Sequence, residues 1–127
     1  MQTLIEKFEL VAEDLEKEYG ELTLFGLFLR EDSFEKWDVI VSAPWLLPDS
    51  QESYNMITTE IHKFIKNGNL VKLSRIAILS VDNPLVKLLQ NTWTGKGLFQ
   101  LPNPQILSDL LAFNIKSAYL LRSTKNN

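Results

Sequence analysis

Leu22-Thr23-Leu24-Phe25-Gly26-Leu27-Phe28-Leu29-Arg30, followed after the charged connection 31–36 by Trp37-Asp38-Val39-Ile40-Val41-Ser42-Ala43, is the stretch that decides the fold. The first segment is apolar or aromatic at both odd and even positions, the pattern of a strand covered on both faces, so it is expected at the centre of a sheet. The second is rich in β-branched residues and reads as its neighbour. A link this short between two strands implies an antiparallel pair.

The flanking sequence supplies the layers that cover such a sheet. Upstream, Thr3-Leu4-Ile5-Glu6 has capping-box spacing, and Leu4, Phe8, Val11, Leu15 and Tyr19 recur at helical steps before Gly20, a left-handed terminator. Downstream, cap-like spacing at Asp49 to Glu52 opens a second helix with the stripe Tyr54, Ile57, Ile61, Phe64 and Ile65, ending at Asn67-Gly68. Val71 to Val81 reads as a third strand, most buried over Ile76-Ala77-Ile78-Leu79. Asp82-Asn83-Pro84 starts a third helix with Leu85, Leu88 and Leu89 inward. Gly95-Lys96-Gly97 marks a turn before a short edge strand, Leu98 to Leu101. Asn103-Pro104 opens a further helix with Leu107, Leu110 and Leu111 inward, and Ile115 to Leu121 is the last strand. The expected fold is α+β: a mixed, largely antiparallel sheet of four to five strands packed with three to four helices in one domain over 1–122, with 123–127 as a disordered tail.

The composition suits a soluble domain with its own core. The chain has 127 residues, 45% apolar and 23% charged. The absence of cysteine excludes disulfides, thiolate zinc, iron–sulfur clusters and a cysteine nucleophile. The start Met1-Gln2-Thr3-Leu4-Ile5-Glu6-Lys7 lacks the features of a secretory signal, and no apolar stretch approaches the ~20 residues of a membrane span, so a cytoplasmic protein away from membranes is expected. The net charge of −3 conceals a segregation: residues 1–60 hold 14 acidic and 4 basic side chains, or −10, and 61–127 hold 2 acidic and 9 basic, or +7. The acidic half suggests a basic protein partner, or the basic half of a second copy. The cations of the C-terminal half are scattered without basic runs or interleaved aromatics, which argues against nucleic acid.

No motif supplies a complete chemistry. His62 is the only histidine, and no serine stands in a Gly-x-Ser-x-Gly turn to serve as its nucleophile. Gly95-Lys96 lacks the first glycine and the following hydroxyl of a phosphate loop. A carboxylate nuclease would want Asp38 followed on the next strand by an acid two positions before a lysine, but Leu70 precedes Lys72. Glu31, Asp32 and Glu35 lack the ligand order of a calcium loop. The Pro44-Trp45-Leu46-Leu47-Pro48 segment offers a candidate partner or ligand surface, because the prolines restrict it and Trp is a favoured interface anchor. The same loop can equally fold over the sheet and complete the core.

Leu24-Phe25-Gly26, ten further residues and then Trp37-Asp38-Val39-Ile40-Val41 resembles the minimal nucleotidyltransferase family, over roughly residues 1 to 90. In that family a strand ends at Gly-Ser, and a following strand carries two carboxylates, one residue apart, that hold metal ions. The resemblance places Gly26 at the family glycine and Asp38 at the first carboxylate. Leu27 stands in place of the serine and Ile40 in place of the second carboxylate, so it implies a degenerate domain that retains at most nucleotide binding at Gly26 and Asp38. The primary expectation is a non-catalytic cytoplasmic protein-interaction domain, self-association being one form of it, with Trp45, Leu46 and Leu47 as its surface and neither metal nor cofactor.

Overall fold

β1 (Leu24–Arg30) lies in the middle of a five-stranded sheet, paired antiparallel on one side with β2 (Trp37–Ser42) and on the other with β5 (Ile115–Ser123). The computed structural model describes residues 2–32, 34–111 and 114–125. β3 (Leu73–Ile78) adds parallel to the outside of β2, and β4 (Gly95–Gln100) antiparallel to the outside of β5, so the order is β3-β2-β1-β5-β4. Helices cover both faces. α1 (Gln2–Tyr19) and α2 (Gln51–Phe64), followed by the single turn α3 (Asn67–Leu70), pack on one face; α4 (Pro84–Thr92) and the single turn α5 (Gln105–Ser108) pack on the other. The fold is α+β, as the sequence leads one to expect.

Alternation along β1 builds the two cores. Phe25, Leu27 and Leu29 point toward α1 and α2, where they meet Phe8, Val11, Leu15, Ile57 and Ile61. Leu24 and Phe28 point toward α4 and α5 and meet Leu85, Val86, Leu89 and Leu107. Each fully buried Leu or Phe contributes ~1.5–3 kcal/mol, so these stripes, not helix propensity, hold the layers. Gly26 sits where β5 bulges between Leu120 and Arg122. A Cβ there would lie 2.7 Å from the Tyr119 carbonyl oxygen, so the close approach of the two backbones requires glycine.

Several boundaries differ from expectation. α1 already includes Gln2, so Thr3 lies inside the first turn and not at its cap. α2 is capped by Ser50, whose hydroxyl accepts from the Ser53 N–H at 3.2 Å, one residue beyond the expected Asp49. It stops at Phe64 because Ile65 turns extended, and Asn67-Gly68 open α3 in place of ending α2. Gly95 to Gly97 are the first residues of β4 and not a turn; their positive φ angles, +149° and +107°, accompany a break in register between Lys96 and Phe99. β3 is an edge strand shorter than 71–81, and of the stretch expected to be most buried only Ile78 is buried, Ile76, Ala77 and Leu79 being half-buried. The domain boundary at 122 also falls short: β5 continues through buried Ser123, and the Thr124 N–H donates to the Thr23 carbonyl at 2.9 Å. Asn126 and Asn127 lie outside the described residues.

Candidate functional site

The local sequence around β3 explains why one side of the sheet is left open. α2 turns Ile57 and Ile61 into the core, while its flank carries Tyr54, Thr58 and His62. α3 then ends the helical cover early and delivers the chain to β3 through Leu70. Between the α2 flank and β3 runs a groove of about 430 Å³. Leu70, Leu73 and Ile76 form its apolar floor, and Ser74 and Arg75 belong to its strand side. Among the described residues β2 is the one strand that pairs with β3, so the opposite strand edge borders this groove. His62 is exposed, and at the end of α2 the Lys66 ammonium donates to the His62 carbonyl at 2.8 Å.

Asp38 is at the other face of the same strands and is 1% exposed. Its Oδ2 accepts from Arg30 Nε at 2.9 Å and from Arg75 Nε at 3.2 Å, and its Oδ1 accepts from Arg30 Nη2 at 3.4 Å. Two guanidinium groups thus occupy both oxygens. Arg30 also donates to Ser74 at 3.0 Å, so the cluster fixes the start of β3 to the β1–β2 hairpin. Gly26 shares the sheet face of Asp38, but its neighbours are the Tyr119 carbonyl and the Leu120 side chain. The pair that the nucleotidyltransferase resemblance singles out serves here in a buried ion cluster and a close strand contact.

The three apolar residues of the proline-bracketed loop part company. Leu46 is 3% exposed and belongs to the α1/α2 core, so it is not available to a partner. Trp45 is partly buried: it stacks on Tyr19 with ring centroids 5.1 Å apart, and its indole N–H donates to the Glu21 carbonyl at 3.2 Å. Leu47 alone is open to solvent, at 63%. The segment closes the end of α1 and does not form one continuous surface.

A third arrangement joins α1 to α2. Carboxylate oxygens of Asp14, Glu18 and Glu60 lie within 4.8 Å of one another. The Lys63 ammonium stands among them, 2.9 Å from Asp14, 3.5 Å from Glu18 and 3.3 Å from Glu60, where it supplies the positive charge such a cluster demands. Glu60 is buried, and burial followed by a hydrogen bond to Asp14 pushes its carboxyl above the usual range. The hydrogen bond with Glu60, then that from Lys63, holds Asp14 below its usual value. Glu60 Oε2 is buried without a hydrogen-bond partner among the described residues. The arrangement is a cluster of three carboxylates closed by a lysine.

The groove residues Tyr54, Thr58, Ser74 and Arg75 were not foreseen as a site. One signal was present: Ser74-Arg75 interrupts an otherwise apolar strand, as an edge position permits and a buried parallel strand does not. Comparison of the chain with protein-family profiles, with curated proteins and with solved structures gave no match.

Proposed function

We propose that this chain is a non-catalytic cytoplasmic protein-interaction domain that receives an extended segment of a partner along the outer edge of β3. The observation that carries this reading is the conjunction of an outer strand edge, to which no further described strand is added, with an apolar-floored groove beside it. In strand addition, main-chain hydrogen bonds supply affinity and alternate side chains enter a neighbouring pocket for specificity, which is the geometry these two features provide.

A photo-crosslinking residue placed at Thr58 or Tyr54 tests the assignment in cells that make the protein. The expected result is a recurrent adduct from both groove positions and none from the same residue at Gln100 on β4. Adducts indistinguishable between the two edges would remove the β3 site.

A further inference from the structure

The rim of the groove is cationic. Among the described residues its lining holds no carboxylate, its Arg75 is already paired with Asp38, and exposed Lys66 and Lys72 flank it where α2 ends and where β3 begins. We propose, resting on the reading that β3 takes a partner strand, that the occupant is an acidic extended peptide, its apolar side chains on the Leu70, Leu73 and Ile76 floor and its carboxylates toward Lys66 and Lys72. Complementary charge at the rim steers encounter and rejects wrong partners.

The same charges disfavour a second copy of this chain. Edge-to-edge pairing of two β3 strands brings like cations together, a common protection of open edges. Several carboxylates of the acidic half are moreover already engaged within the molecule: Asp14, Glu18 and Glu60 with Lys63, Glu9 and Glu16 with Arg122, Asp38 with Arg30 and Arg75. Nucleic acid lacks the peptide N–H and C=O groups that would satisfy the β3 edge.

The test titrates the ¹⁵N-labelled protein with a short peptide alternating Val and Glu, one alternating Val and Lys, a Val/Glu peptide interrupted by proline, and an oligothymidylate. The expected result is that the alternating Val/Glu peptide alone shifts amides of β3 and α2, and that Lys66→Glu with Lys72→Glu weakens it roughly fivefold or more while Lys116→Glu does not. Equal binding of the Val/Lys peptide in the groove overturns the acidic assignment and leaves the β3-edge reading standing. Absence of any β3 or α2 response to all three peptides overturns both. Stronger shifts of these amides by the oligonucleotide overturn the peptide assignment. So does a dimer on sizing that Thr58→Trp, which fills the groove, converts to monomer.

Discussion

Asp38 is an acid held entirely by cations. Its oxygens accept from Arg30 and Arg75, and its side chain is almost fully buried. Removing a partner from a buried pair strands the opposite charge, with a usual cost of 3–5 kcal/mol. Here the side chain of Arg75 is 49% exposed and can turn to water, so Asp38→Ala is expected to cost about 1–3 kcal/mol in urea unfolding. A variant as stable as the parent would show that the aspartate is not a structural ion-cluster residue, and would return it to candidacy as a ligand. The sequence placed Asp38 correctly on a strand but could not reveal its partners, because Arg75 lies 37 residues away in the chain.

At the scale of elements, the joint between α1 and α2 is sensitive to pH. The folded pKa of Glu60 is raised, so its contribution to stability is full below the ordinary carboxylate value and is lost as pH rises through the raised one. That of Asp14 is lowered, so its contribution is present above its ordinary value and is lost as pH falls through the lowered one. The joint is therefore tightest between those two folded values, with Glu60 protonated and Asp14 ionised. Glu60→Gln keeps a neutral donor at every pH. Thermal melts from about pH 4 to 8 are expected to show its Tm advantage over the parent growing with pH and vanishing at the acid end. A constant offset would contradict the raised pKa of Glu60. The helical periodicity of both elements was legible, but their meeting face was not: a carboxylate at 60 reads as solvated until packing buries it.

For the molecule as a whole, part of the charge segregation of the sequence is compensated inside one chain. Among the described residues, Lys63, Arg75, Lys96, Lys116 and Arg122 of the basic half all pair with carboxylates of residues 1–60. Part of the acidic half thus finds basic complement within the molecule, while Lys66 and Lys72 stay exposed. Carboxylates at the C-terminal end of α1, unfavourable to the helix dipole, are compensated by Arg122 and Lys96 on Glu16 and by Lys63 on Glu18. Burial alone would depress Arg122; the hydrogen bonds to Glu16 and Glu9 outweigh it and raise its pKa. Arg122→Ala is expected to cost about 2–4 kcal/mol, little changed between low and high salt, because the guanidinium is 4% exposed. Lys116→Ala, which removes an exposed pair with Glu35, is expected to cost about 0–1 kcal/mol and to lose even that in salt. Equal salt dependence of the two variants would contradict this division.

Features that depend on neighbours along the chain were legible from the residues alone: the central position of β1 from apolar residues on both faces, the helical stripes, the proline-started α4 and the α+β class. Tertiary structure decided what depends on distant partners. It made β3 an edge, closed Leu46 into the core, spent Asp38 on two arginines and brought five cations of the basic half onto carboxylates of the acidic half. The physical reason is that periodicity is written at steps of two to four residues, whereas exposure and charge compensation are set by elements tens of residues apart, whose contacts exist only once the sheet has formed.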